Sequence, residues 1–239
     1  MIRLAVSGAC GRMGERIIAL AKLDRDFKLC LALEYENHPG IGVSITDQLK
    51  VSAEINGIKN ADCLIEFTTP ESTLLHLNKC QEFKVPIVIG TTALTEDQIK
   101  EIASASRVIP VVFSPNMSVG VNLLFSLVEE AAQVLKYYPV GIREAHHLHK
   151  KDAPSGTAKK IAQIIKQVSS KEVSDIRSVR EGEIIGDHEV IFENNFDTLK
   201  ISHHAKTRDI FAAGALTAVK WLVVQRPGFY SMKEVIFAA

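Results

Sequence analysis

The sequence predicts an α/β protein in two parts, and three observations carry that reading. Over the first hundred-odd residues, short apolar runs alternate with longer amphipathic ones, as in a parallel sheet whose strands are joined by right-handed helical crossovers. A glycine-rich turn, VSGACGRMGERI, separates the first apolar run from the first amphipathic one. After Phe113 the texture becomes α+β, with a long helical pattern and then strands separated by polar turns.

Taken in order, IRLAVSG (2–8), KLCLALE (28–34), DCLIEF (62–67), PIVIG (86–90) and VIPVVF (108–113) have the length and β-branched content of strands buried on both faces. Helical patterns lie between them near 12–23, 71–82 and 95–105. SPNMSVGVNLL then opens a long helical pattern reaching about Lys136, followed by the strand-like VGIREAH and a helix from Ser155 to Val168. Strand-like stretches at 176–181, 187–193 and 197–204 are bounded by the turns EGEIIGD and ENNFD, and their short connections predict largely antiparallel pairing. A helical pattern from Asp209 to Val224 and a short tail close the chain, and the seam between the two parts falls near Asn116.

Composition narrows the function. The formal net charge is zero, which argues against nucleic acid or an anionic membrane surface as partner. No apolar run reaches the ~18–20 residues needed to cross a bilayer. The opening MIRLAVSGAC reads as a buried strand rather than a signal peptide. Cys10, Cys30, Cys63 and Cys80 are dispersed without a CxxC pair, the usage of reduced thiols in a cytoplasmic protein.

The glycine turn has the chemistry of a phosphate cradle. Gly8, Gly11 and Gly14 allow a tight turn and close approach of a pyrophosphate, whose charge meets free N–H groups at the helix start. Glu34 ends the second strand, where a carboxylate accepts hydrogen bonds from adenosine ribose hydroxyls. These features predict a Rossmann-like doubly wound sheet that binds a dinucleotide. Glu34 repels a 2′-phosphate and is followed by Tyr35, Glu36 and Asn37 rather than arginine, so NADH is favoured over NADPH, although Arg12 could reach a 2′-phosphate from the loop. FTTPEST (67–73) and GTTALTEDQ (90–98) follow two further strands; their threonines could meet a ribose and nicotinamide or equally cap helices.

The densest chemistry lies in EAHHLHKKDAPSGTA (144–158). Three histidines so close together could hold zinc. On a strand His147 and His149 share a face and His146 points away, so at most two could converge, with His203 and His204 in reserve. Zinc therefore stays open, and no metal is assigned. DAPSGTA is a helix start, with Pro154 suited to the opening turn and N–H groups at Ser155 and Gly156 beside the Thr157 hydroxyl, where a carboxylate gains from donors and dipole. A proton donor, a cation and an anion cradle within so few residues fit reduction of a small acidic substrate, with His146 or Lys150 supplying a proton.

The same block closely resembles the E-x-H-H-x-H-K-x-D-x-P-S-G-T-A signature of the 4-hydroxy-tetrahydrodipicolinate reductase (dihydrodipicolinate reductase) family of lysine and diaminopimelate synthesis. GACGRMG, FTTPEST, GTTALTEDQ, SPNMSVGVNLL, REGEIIGDHEVIF, HHAKTRDIFAAGAL and GFYSMKEVI resemble its other blocks over nearly the whole chain. The resemblance implies NADH- or NADPH-dependent reduction of a cyclic dicarboxylate to tetrahydrodipicolinate. By it, His146 is the catalytic acid/base and Lys150 a second proton donor, while His147, Gly156 and Thr157 bind substrate. Gly8, Ala9, Cys10, Gly11, Arg12, Met13, Glu34, Gly90, Thr91, Thr92, Ser114, Pro115, Asn116 and Met117 line the nucleotide site.

It further implies a dinucleotide-binding domain over 1–117, rejoined by 209–239, and a substrate-binding and oligomerisation domain over 118–208 with a mixed, largely antiparallel sheet, in a homotetramer. Two departures bear on cofactor choice. Tyr35 stands where many members carry a basic residue, and Thr69 where some carry arginine. The rival readings are another two-domain NAD(P)-dependent dehydrogenase of amino-acid metabolism and a non-catalytic dinucleotide-binding redox sensor. The latter would have no use for His146 and Lys150.

Overall fold

The computed structural model describes residues 1–237, so the last two residues of the predicted 209–239 segment lie outside the described residues. In chain order the elements are β1 (Ile2–Ser7), α1 (Arg12–Leu23), β2 (Phe27–Leu33), β3 (Ser44–Thr46), β4 (Leu49–Ser52), a 3-10 turn (Ile55–Asn60), β5 (Cys63–Glu66), α2 (Pro70–Phe83), β6 (Ile87–Ile89), α3 (Glu96–Ala105) and β7 (Pro110–Phe113). They continue with α4 (Val119–Val134), β8 (Val140–His146), α5 (Gly156–Ser169), β9 (Asp175–Arg180), β10 (Asp187–Glu193), β11 (Thr198–His204), α6 (Asp209–Leu222), β12 (Gly228–Tyr230) and α7 (Met232–Phe237). The chain divides into two compact units, Met1–Ser118 with the residues from Phe211 onward, and Val119–Ile210.

The first unit is built on an eight-stranded sheet in the order β12-β7-β6-β5-β1-β2-β4-β3. All neighbours run parallel except β3 against β4. Its strands are apolar on both faces, as the continuous runs predict, because each face carries helices. Leu4, Val6, Ile65, Val88 and Val112 pack with Ile17 of α1 and Ala215 and Val219 of α6. Their alternating neighbours Ala5, Leu64, Ile87 and Val111 pack with Leu77 of α2 and Ile102 of α3. This is the doubly wound arrangement expected of the glycine-turn sequence. The order reverses at β1, so β2 and β5 flank it and their carboxyl ends frame a crevice.

Two threonines from the segments read as either ribose contacts or caps are in fact helix caps. Thr69 accepts the Ser72 N–H ahead of Pro70, and Thr95 forms a capping box with Gln98 at the start of α3.

The second unit has a four-stranded sheet in the order β11-β10-β8-β9, parallel only between β8 and β9. One face is covered by α4 and α5, where Ile142, Val190 and Phe192 meet Leu124, Val128, Ile161 and Ile165. The other face is largely open along β9 and β11, whose residues are exposed or partly buried. Among the described residues no helix is long and apolar enough to cross a membrane.

Candidate active site

In the first unit the residues after β1 make a tight turn over the sheet. Gly8 holds a φ of +70°, which side-chain-bearing residues rarely adopt, and Gly8 and Ala9 both donate their N–H to the Leu33 carbonyl at 3.0 and 3.1 Å. Gly14 lets α1 sit directly on this turn, since a Cβ there would stand 2.0 Å from the Gly8 carbonyl oxygen. Gly11 caps α1 without a side-chain hydrogen bond, so the helix start keeps its donors for an anion. Glu34 accepts the Cys10 N–H at 2.9 Å, tying the end of β2 to the turn. Burial, with the charges of Glu34 and Glu15, raises the Cys10 thiol above its ordinary value.

Gly8, Cys10, Gly11 and Glu34 line one cavity of about 560 Å³, together with Tyr35, Glu36, His38, Phe67, Thr68 and His76. An uncapped helix start, an acidic strand end and a cavity of this size fit a dinucleotide.

Beneath the cavity runs a buried polar network that sequence reasoning did not single out. Glu66, at the end of β5, is fully buried and pairs with His76 Nδ1 at 2.6 Å; the same nitrogen lies 3.0 Å from Ser7 Oγ. Thr68 Oγ1 donates to the other Glu66 oxygen. A carboxylate inside an otherwise apolar strand was the available signal, because such a group persists only where donors meet it.

The remaining predicted nucleotide residues lie at the other strand ends and in the turn. Gly90 packs under Phe67, whose ring would stand 2.2 Å from a Cβ. Thr91 is buried and accepts the Thr68 N–H at 3.2 Å and the Thr73 hydroxyl at 2.8 Å. Ser114 donates to the Asn116 carbonyl at 2.7 Å, Asn116 Oδ1 accepts the Ser118 N–H at 2.9 Å, and Met117 is buried. Arg12, Thr92 and Pro115 are exposed, and Ala9 is buried while Met13 is partly so.

In the second unit β8 delivers the histidine block. His146, its last residue, is buried with its Nδ1 against the Glu144 carboxylate of the same strand. Glu144 Oε1 accepts from Arg180 Nη2 at 2.8 Å and from the Ser155 N–H at 3.3 Å. Burial alone would raise the Glu144 carboxyl, but the hydrogen bonds from Arg180 and Ser178 and the charges of His146 and Arg180 outweigh it and hold it below its ordinary value. Burial lowers the His146 imidazole, Glu144 opposes that lowering, and the charges of Lys150 and Arg180 add to it.

Lys150 is partly exposed and paired with Asp152 at 2.8 Å. His147 lies in the following turn, with Arg208 Nη2 3.3 Å from its Nε2. Ser155 caps α5 by accepting the Ala158 N–H at 3.2 Å, so α5 starts at Gly156, where a Cβ would meet open space, with Thr157 next. The block therefore brings His146, Lys150 and the start of α5 together around one strand end.

The zinc alternative meets a physical obstacle. His146 turns inward while the His147 and His149 rings, 6.1 Å apart, occupy the turn outside it. Glu144, His146 and His188 do bring ligand-type atoms within 4.8 Å of one another, but the Arg180 cation already holds that carboxylate. A fixed positive charge there opposes a divalent ion.

Comparison with known proteins gives the family and the fold. The family profile described as the N-terminus of dihydrodipicolinate reductase matches residues 2–117, and that described as its C-terminus matches residues 120–236. A 4-hydroxy-tetrahydrodipicolinate reductase of Geotalea daltonii is 38% identical, and one of Citrifermentans bemidjiense 35%, each match covering 99% of both chains. The dipicolinate-bound dihydrodipicolinate reductase of Paenisporosarcina sp. TG-14 shares the fold, with a TM-score of 0.85 at 24% identity over 97% of both chains. The more distant amine dehydrogenase of Mycobacterium smegmatis superposes at a TM-score of 0.69 with 10% identity over 97% of this chain and 95% of that one. With two profiles spanning nearly its whole length and full-length relatives well above 30% identity, the chain belongs to the dihydrodipicolinate reductase family.

Proposed function

We propose that this protein reduces 4-hydroxy-tetrahydrodipicolinate, the ring dicarboxylate also called dihydrodipicolinate in its dehydrated form, to tetrahydrodipicolinate in lysine and diaminopimelate synthesis. The observation that carries the reading is the second unit's strand end, where buried His146 lies between an ionised carboxylate and a lysine, a few residues before a helix start. The 4-hydroxyl leaves as water with or before the reduction, and the reduced dinucleotide, when bound, supplies the hydride. His146 delivers the proton, Lys150 stabilises the electron-rich ring or acts as second donor, and the Gly156–Thr157 helix start with His147 binds a ring carboxylate. Dipicolinate, named with the related structure, is a ligand of that cyclic dicarboxylate class.

The nucleotide is placed at the first unit, with the pyrophosphate on the Gly8–Met13 turn and ribose hydroxyls on Glu34. Gly90–Thr92 and Ser114–Met117 border its nicotinamide half, a role that requires their exposed members to face it once bound. The second unit would carry substrate binding and assembly into a homotetramer, for which the open sheet face offers exposed Val179. Four free cysteines support a reducing, cytoplasmic setting.

Glu34 and Tyr35 favour NADH. Steady-state rates with enzymatically generated substrate should therefore give a kcat/KM for NADH at least equal to that for NADPH. A large NADPH preference would show that Arg12 outweighs the Glu34 carboxylate.

A further inference from the structure

His146 sits in a polar cluster whose other members the reaction has not yet used. Glu144 lies two positions earlier on β8, so both side chains leave the same face of the strand, and Glu144 Oε2 meets His146 Nδ1. The carboxylate is 2% exposed and would protonate if it were left alone in such a place. Arg180 prevents this, and the guanidinium is itself fixed by the Asp152 carbonyl at 2.5 Å.

Sheet register assembles the group. His146 pairs with Arg180 across the parallel β8–β9 ladder, and Glu144 with His188 across the antiparallel β8–β10 ladder. The His188 ring packs edge-on against His146, centroids 5.2 Å apart, with its Nε2 3.2 Å from Ser155 Oγ. Burial first, and then the charge of His146, push His188 down to about 4, so it remains a neutral neighbour near pH 7. On the far side of the His146 ring, Nε2 faces Gly186, where a Cβ would approach to 3.1 Å.

We propose that Glu144, kept ionised by Arg180, is a positioning residue for His146: it holds the imidazole by Nδ1, leaves Nε2 as the nitrogen that exchanges the proton, and raises the ring's hold on that proton. The logic is that of any buried carboxylate–imidazole pair. A carboxylate at Nδ1 fixes the tautomer and stabilises the imidazolium by charge. The opposing influences on His146 are burial and the cations Lys150 and Arg180, with His188 neutral beside it. The Glu144 charge and hydrogen bond are what oppose them. This inference rests on the reading of His146 as proton donor, but the state of its ring can be measured without that reading.

The first measurement needs no variant. Long-range ¹H–¹⁵N NMR of the wild-type protein should show neutral His146 protonated at Nδ1; a neutral ring protonated at Nε2 would overturn the proposal. In Glu144→Gln the titration of His146 should move to lower pH by about one unit or more, within the range for losing an adjacent opposite charge. A general acid must carry its proton, so the alkaline fall of kcat should move to lower pH in parallel. Glu144→Asp should restore part of both shifts.

A purely structural role would depress kcat at every pH and leave the titration in place, and that result in a folded Glu144→Gln protein would refute the positioning role. A titration that moves while the kcat limb stays put would retain the Glu144 brace and remove His146 as donor, so the two failures are distinguishable. Should Glu144→Gln fail to fold, the wild-type tautomer decides alone.

Discussion

His146→Gln is expected to lower turnover about 10²–10³-fold, the range for losing a positioned general acid, with little change in dinucleotide affinity. Glutamine retains an amide able to meet Glu144, so the strand end should keep its packing, but it has no proton to give near neutral pH. The residues expected to hold the dinucleotide, Gly8, Cys10, Gly11 and Glu34, lie in the first unit and do not include His146. Calorimetric titration with NADH should therefore give a near-wild-type Kd beside the depressed kcat. Normal turnover would remove His146 from the mechanism, and a collapsed Kd would point to a global defect.

Lys150→Ala should cost about 10²-fold in turnover, in line with removing one preorganised electrostatic contact at a developing charge. Lys150 is joined to Asp152, whose carboxyl is lowered first of all by the lysine's hydrogen bond. Removing the ammonium thus also frees a carboxylate beside the site, and its repulsion of a doubly charged substrate should raise KM. Asp152→Asn in the same background separates the two effects: it should recover KM and leave kcat low. Wild-type kcat in Lys150→Ala would undo the role given to the ammonium.

What could be read from the sequence followed physical range. The helix expected near 12–23 is observed as Arg12–Leu23 because Ile17, Ile18 and Ala21 repeat at helical spacing on one buried face. β1, β2, β5, β6 and β7 were legible as continuous apolar runs, buried on both faces of the sheet. β3, β4 and β12 were not, since SIT, LKVS and GFY carry no continuous apolar run, and β4 and β12 take their strand character from pairing with distant β2 and β7. The pattern expected to reach Lys136 stops as a helix at Val134, two positions before Lys136 and ahead of the turn leading to Pro139.

The site divides the same way. His146, Lys150 and the Ser155–Thr157 helix start sit close together in the chain and could be read as a unit. Arg180, which holds Glu144 across 36 positions, and His188, which flanks His146, are brought in by sheet register alone. Thr91 and Ser114, read from the sequence as nucleotide contacts, also make hydrogen bonds to Thr73 and Asn116 that only the folded chain reveals.

The central claim is that reduction at the substrate ring draws its hydride from the dinucleotide and its proton from the second unit. Turnover of enzymatically generated dihydrodipicolinate with NADH carrying deuterium at the transferable C4 position, followed by mass spectrometry, tests it directly. The prediction is one deuterium per product on a ring carbon, with stoichiometric loss of the nicotinamide absorbance. Unlabelled product, or a nicotinamide band that stays constant with this substrate present, would contradict it.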